Sequence, residues 1–213
     1  QRQMCIRDRD YGFKDLKDPN AYNPERSKQL LAEDGWKDTD GDGILDKDGK
    51  PLTFDFVVYN SRAELPLYAE AVQADLKKVG IDMKIKTVDY NLIDKMGQDG
   101  DYDMLISNIV TANTGDPIWF LANYWHTNVD GSNPQNGSGY SNPQVDQLLD
   151  AAETEFDPAK RRDYAIQIQQ LLMNDGAALF LGYPKTNIIT GSYLKGAVMY
   201  PSDYYWITNK ITK

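Results

Sequence analysis

Between Leu52 and Val110 the residue pattern runs strand, helix, strand, helix, strand, and that order limits the fold more than any other feature of the chain. Leu52 to Tyr59 alternates apolar and polar positions with β-branched and aromatic side chains, which predicts a strand. Glu64 to Val79 sets Leu67, Ala71, Ala74, Leu76 and Val79 near helical spacing, and Lys77, Lys78 and Gly80 suit a helix end. Ile81 to Val88 alternates again through Ile81, Met83, Ile85 and Thr87. Asn91 to Gln98 predicts a short helix, and Tyr102 to Val110 is a nearly continuous apolar run, as expected of a strand covered on both faces. Strands joined through helices pair in parallel with right-handed crossovers. The expected class is therefore α/β, with a mixed, mostly parallel sheet flanked by helices.

Outside this stretch the signals are mainly helix starts. Asn23-Pro24-Glu25 supplies a cap, a proline at the first helical position and an acid in the first turn, with Leu30, Leu31 and Ala32 as its apolar stripe. A helix is predicted from about Asp116 to Tyr124, and two longer ones from Pro143 to Glu155 and from Pro158 to Asp175, opened by Asn142-Pro143 and Asp157-Pro158. Ala177 to Gly182 and Thr186 to Thr190 read as strands returning to a sheet, and the aromatic tail from Gly191 reads as loop.

Residues 1–9 are set aside. Gln1-Arg2-Gln3-Met4-Cys5-Ile6-Arg7-Asp8 reads in one frame like a translated transposon-type sequencing adapter, with Arg9 fitting its remainder, the alternative being a natural N-terminal arm. The only cysteine, Cys5, goes with it, so compartment cannot be read from thiols. The start of the natural chain is then expected to be missing, and with it any signal peptide or lipid anchor. Without Arg2, Arg7, Arg9 and Asp8 the chain keeps 20 basic and 31 acidic residues, a net charge of −11, which argues against a nucleic-acid partner. No run approaches the roughly 20 apolar residues of a membrane span.

In open α/β sheets ligands bind beyond the carboxyl ends of the strands. Asn60, Ser61 and Arg62 leave one such end, and Thr111 to Asp116 leaves another. These loops are expected to flank one crevice, with Asn60, Arg62, Thr111, Asn113, Thr114 and Asp116 on its rim. Trp125 and His126, at the end of an aromatic helix, and Tyr140, in a Gly/Asn/Ser-rich loop, complete the candidate ligand contacts. Each has a plainer role open to it. Arg62 can pair with a neighbouring acid instead of holding a carboxylate, Asp116 can simply cap its helix, and His126 can pack on aromatics.

Asp38, Asp40, Asp42 and Asp46 match the spacing of a calcium loop, with Gly43 at the sixth position. Its twelfth position is Gly49 where a bidentate glutamate belongs, so weak calcium binding and a plain Asp/Gly turn both stay open, the turn having the better case. No cofactor is otherwise required. One histidine and no Gly-x-Ser-x-Gly elbow exclude a multi-histidine zinc centre and give a nucleophilic triad no foothold. Asp99, Asp101 and Asp103 sit where turn chemistry explains them better than glycoside hydrolysis.

From Asn23 onward the chain resembles the C-terminal portion of extracellular solute-binding proteins of the peptide and nickel class, receptor subunits of ABC importers. The resemblance rests on Leu30-Leu31-Ala32-Glu33-Asp34-Gly35-Trp36, Gly49-Lys50-Pro51-Leu52-Thr53-Phe54, Glu70-Ala71-Val72-Gln73, Leu76-Lys77-Lys78-Val79-Gly80-Ile81, Tyr102-Asp103, Gly115-Asp116-Pro117 and Gly139-Tyr140-Ser141-Asn142-Pro143. It implies a type II periplasmic-binding-protein-like lobe over residues 10–190, an incomplete second lobe, and residues 191–213 crossing back towards that lobe. It further implies a monomeric, extracytoplasmic receptor, in the periplasm or at the cell surface through a lipid anchor. Its partners would be a peptide, a nickel chelate or another small polar solute, and permease subunits. Peptide-binding relatives carry an aspartate for the peptide amine where Asn113 stands, a departure that weakens the oligopeptide assignment. The rival readings are a secreted glycoside hydrolase-like domain, which needs carboxylates facing across a cleft, and a calcium-stabilised adhesion module, which needs an all-β sandwich.

Overall fold

Thr53–Tyr59 is the residue run around which one half of the molecule is built, because Phe56, Val57, Val58 and Tyr59 are all almost fully buried. Four consecutive buried positions mean that both faces of the strand are covered, which the alternating sequence pattern did not convey. The computed structural model describes residues 14–109, 116–182, 189–198 and 208–213. The chain divides into two compact units, a sheet unit of residues 19–109 and 127–140 and a helical unit of residues 1–18, 110–126 and 141–213.

The sheet unit opens with helix α1 (Pro24–Glu33), capped by the Asn23 carboxamide, which accepts the Arg26 amide N–H at 3.0 Å. α1 buries no residue, and Leu30 is exposed, so the helix lies on the periphery. Strands β1 (Asp46–Lys47) and β2 (Lys50–Pro51) form an antiparallel hairpin. Asp48 and Gly49 between them both have positive φ, 53° and 71°, as the tightest two-residue turn demands. Strand β3 (Thr53–Tyr59) leads to helix α2 (Glu64–Lys77) and strand β4 (Asp82–Val88). A 3₁₀ turn at Tyr90–Leu92 and helix α3 (Ile93–Asp99) lead on to strand β5 (Met104–Leu105). β3 lies between β4 and β5 and pairs in parallel with both. The parallel pairing is what the alternation of elements predicts, and the order β4-β3-β5 is what the structure adds.

Two expectations need correction. On α2 the stripe facing inward is Leu65, Ala69, Val72 and Leu76, whereas Leu67, Ala71 and Ala74 are exposed. The helix has two apolar rows, and the row that starts two residues earlier, at Leu65, meets the sheet. The strand expected over Tyr102 to Val110 is paired only at Met104 and Leu105, with Ile106 adding one bond to the Val57 carbonyl at 3.0 Å. Its apolar character shields Ile106 from water without supplying a further strand to pair with, and Val110 lies outside the described residues.

Residues 127–140 return to the sheet unit and dock on α3. A Cβ added to Gly137 would stand 3.1 Å from the backbone of Gly97, tighter than an ordinary contact, whereas one added to Gly97 would meet Gly137 at 3.8 Å, so the close backbone approach leans on Gly137. The Tyr102 hydroxyl donates to the Gly137 carbonyl beside this contact. Buried Asn136 donates to the Tyr140 carbonyl at 2.8 Å and accepts the Ser138 hydroxyl at 2.8 Å.

The helical unit is held by α4 (Pro117–Trp125), α5 (Pro143–Thr154) and α6 (Pro158–Asn174). Each starts at a cap followed by proline: Asp116, Asn142 and Asp157 accept amide N–H groups two residues on, at 3.0, 2.9 and 2.8 Å. The core is read directly from helical spacing: Ile118, Leu121 and Trp125 on α4, Val145, Leu149 and Ala152 on α5, Ala165, Ile168 and Leu172 on α6. The Asn142 carboxamide also donates to Asp175 at 2.8 Å, tying the start of α5 to the end of α6. Ala177–Gly182 forms no strand, and Ile189–Thr190 forms none either, while Thr186 to Ile188 lie outside the described residues. An apolar run becomes a strand only beside another strand with free backbone groups. No such strand accompanies it among the described residues of this unit.

Candidate functional site

In the sheet unit, Tyr59 ends β3, and Asn60 and Arg62 follow it into solvent before α2 begins. This is the carboxyl edge of three parallel strands, where loops leave for helices and ligands are received. Among the described residues Arg62 forms no ion pair, Glu64 included. Asn60 forms no side-chain hydrogen bond among them either. The N-cap of α2, Ala63, offers no side-chain oxygen to the first turn. Beneath the edge, the Tyr59 ring meets Tyr90 edge-on at 5.1 Å, and its hydroxyl accepts the Asn108 amide N–H at 3.1 Å. Burial raises the Tyr59 phenol above its ordinary pKa, so the hydroxyl stays neutral. Tyr140 belongs to the same unit and is half-buried, its carbonyl fixed by Asn136.

In the helical unit Asp116 has a structural role. One carboxylate oxygen caps α4 through the Ile118 amide, and the other pairs with Arg161 on α6. Arg161 also donates to the carbonyls of Ala152 and Glu155, the second at 2.9 Å, and so closes the C-terminal end of α5. Sequence inspection passed over Arg161, because its partners lie on two other elements. Trp125 is buried, with 8% of its surface exposed. His126 ends α4 and stands between two acids one turn apart on α5, with Nε2 3.3 Å from Asp150 and Nδ1 3.7 Å from Asp146. Asp116 and His126 therefore occupy opposite ends of α4, roughly 15 Å apart along the axis at 1.5 Å per residue. Thr111, Asn113 and Thr114 lie outside the described residues.

The acidic loop brings Asp38, Asp40 and Asp42 together, with carboxylate oxygens within 4.8 Å of one another and all three side chains exposed. Those oxygens already serve the backbone: Asp38 accepts Gly41 and Gly43 at 2.7 and 3.0 Å, Asp40 accepts Asp42, and Asp42 accepts Ile44 at 2.7 Å. Asp46, grouped with them by spacing, turns instead to Thr39, whose amide and hydroxyl it accepts at 3.2 and 3.1 Å. Asp99 pairs with Lys95, and Asp103 accepts the Asp55 amide at 2.8 Å, so turn and strand contacts account for both.

A pH test follows from the turn between α5 and α6. The Asp157 amide, and after it Lys160, hold the Glu155 carboxyl below its ordinary value of 4.5. A lowered folded pKa means that the carboxylate stabilises the fold above about pH 4.5 and that this is lost as pH falls through the lower folded value. Glu155→Gln keeps an acceptor oxygen but has no charge to lose. The difference in melting temperature between the two proteins should shrink below that pH, and an unchanging difference would show the carboxylate to be inert.

The parallel sheet with its open carboxyl edge defines an α/β lobe of the kind that binds solutes, and the all-β alternative is excluded. The family model for bacterial extracellular solute-binding proteins, family 5 Middle, matches residues 3–132, and the chain belongs to that family. The match begins inside the segment read as adapter. The oligopeptide-binding protein AppA of Bacillus subtilis is 31% identical over 88% of this chain and 34% of its own. The probable D,D-dipeptide-binding periplasmic protein DdpA of Escherichia coli is 32% identical over 71% of this chain and 29% of its own. The chain thus spans about a third of the length of these curated relatives. The structure of Bacillus subtilis AppA in complex with a nonapeptide superposes with a TM-score of 0.78 at 29% identity, over 93% of this chain and 39% of that one. That of NikA from Brucella suis in complex with Fe(III)-EDTA gives 0.65 at 27% identity, over 78% and 32%. Among the described residues no helix is long and apolar enough to cross a membrane.

Proposed function

We propose that this chain is part of the substrate-binding receptor of an ABC importer, one that takes up a small polar solute bearing a carboxylate. The observation that carries the reading is Arg62: exposed, without an ion pair among the described residues, and beside Asn60 at the carboxyl edge of a parallel sheet. An arginine fork matches a carboxylate in two-point geometry. Peptides and EDTA both carry that group, so the peptide and chelate labels of the two structural relatives share one chemistry.

Asn60, Arg62 and Tyr140, with Thr111, Asn113 and Thr114, are the proposed solute contacts. Asp116 and His126 cap the two ends of α4, and Trp125 is buried on it. Residues 10–190 supply most of one lobe, and residues 191–213 cross back towards the other. The receptor works outside the cytoplasm, in the periplasm or on a lipid anchor, as a monomer that closes on its solute and is then recognised by permease subunits. It binds without turning over, and the Asp38 loop, whose three carboxylates lie within 4.8 Å of one another, would at most hold calcium weakly.

The test is native mass spectrometry of the receptor that contains this chain, isolated with whatever it retains, beside its Arg62→Ala variant. A retained carboxylate-bearing solute, lost in the variant, supports the reading. Retention of a neutral sugar unaffected by the substitution, or chemical conversion of the bound solute, would refute it.

A further inference from the structure

We propose that Tyr59 is a positioning residue that fixes the carboxyl edge of the sheet, joining the exits of β3, β4 and β5 through one side chain. This rests on the reading of that edge as a solute-binding surface. Tyr59 is itself the last residue of β3, paired in register with Val88, the last of β4. Two residues beyond Val88, the Tyr90 ring stands edge-on to the Tyr59 ring at 5.1 Å. Three residues beyond Leu105, the end of β5, the Asn108 amide N–H donates to the Tyr59 hydroxyl at 3.1 Å.

Only 2% of Tyr59 is exposed, so the residue does not meet solvent as a solute contact would. Its hydroxyl hydrogen has no acceptor among the described residues, so within them the hydroxyl serves as an acceptor alone. That division of labour is unusual for a buried phenol, which ordinarily finds a partner for its O–H. The ring holds one neighbouring exit by packing and the oxygen holds the other by a hydrogen bond. Asn60 and Arg62 follow directly from Tyr59, so their placement depends on where this ring sits.

Tyr59→Phe tests this in the receptor that contains the chain, because it keeps the ring and removes only the acceptor. Hydrogen exchange at the Asn108 amide should accelerate roughly 2–10-fold, the loss of one ordinary hydrogen bond, while the strand amides of β3 and β4 stay protected. Affinity for two defined probes, trialanine and the nickel–histidine complex, is measured alongside and should weaken by a similar factor for whichever probe binds. Tyr90→Leu is the control: it removes the ring contact, keeps the oxygen, and should leave Asn108 protected.

Unchanged exchange at Asn108 in Tyr59→Phe would overturn the proposal, and so would acceleration spread evenly over the whole sheet unit. So would faster exchange at Asn108 with undiminished affinity for a bound probe. If the wild type binds neither probe while Asn108 alone accelerates, the positioning role stands, and the solute reading is decided by what the receptor retains in the Arg62→Ala comparison.

Discussion

Leu149→Ala is expected to cost the helical unit about 2–5 kcal/mol, the range for emptying a leucine site in a packed core. Leu149 is fully buried on α5, between Val145 and Ala152 on the same stripe. α5 packs on both α4 and α6, which contribute Leu121, Trp125, Ile168 and Leu172 to the same core. A cavity there can close only if whole helices shift, and their starts are fixed by Asp116, Asn142 and Asp157. The upper half of the range is therefore expected. Denaturant unfolding followed by far-ultraviolet circular dichroism measures it, and a loss below about 1 kcal/mol, typical of a surface site, would show that this core does not hold α5.

The second large effect is expected at Arg161. Arg161→Leu removes the guanidinium that donates to the Ala152 and Glu155 carbonyls and pairs with Asp116. Breaking a fully buried pair costs about 3–5 kcal/mol. Here 22% of the Arg161 side chain and 38% of the Asp116 side chain are exposed, so solvent screens part of that, and about 2–3 kcal/mol is expected. Arg161→Lys should recover less than half, because an ammonium cannot reach a carboxylate and two carbonyls with one planar fork. Asp116→Asn keeps the α4 cap and loses only the charge, so its cost should be nearer 1 kcal/mol. A double-mutant cycle decides the matter: additive losses would mean that the guanidinium and the carboxylate do not act together.

Local chemistry was the legible part of this protein. Asn23-Pro24, Asp116-Pro117, Asn142-Pro143 and Asp157-Pro158 each start a helix as written, because the cap and the fixed proline φ act within one turn. β3 and β4 fall within a residue of their expected limits. The Asp48-Gly49 turn is equally legible as a hairpin signal. What the sequence could not settle depended on distant partners. Ala177–Gly182 has the composition of a strand and no neighbour among the described residues to pair with. The inward row of α2 was chosen by the sheet it meets, since two rows of similar hydrophobicity compete. Arg161 carries no local mark of its three partners.

The same limit applies to the site. The loops after β3 and before α4 were recognisable by position, yet whether Arg62 was already paired and whether Asp116 was already engaged are questions about other elements. The structure separates the two: Arg62 forms no ion pair among the described residues, and Asp116 serves α4 and Arg161.

The contact of Gly97 with Gly137 makes the sheet unit discontinuous in sequence. The chain leaves that unit after residue 109 and returns at residue 127 to lay Gly137 against α3. Residues 19–109 alone therefore lack the segment that packs on Gly97. Expression of the contiguous stretch alone should accordingly give a product prone to proteolysis at α3, whereas supplying residues 127–140 on the same polypeptide should protect it.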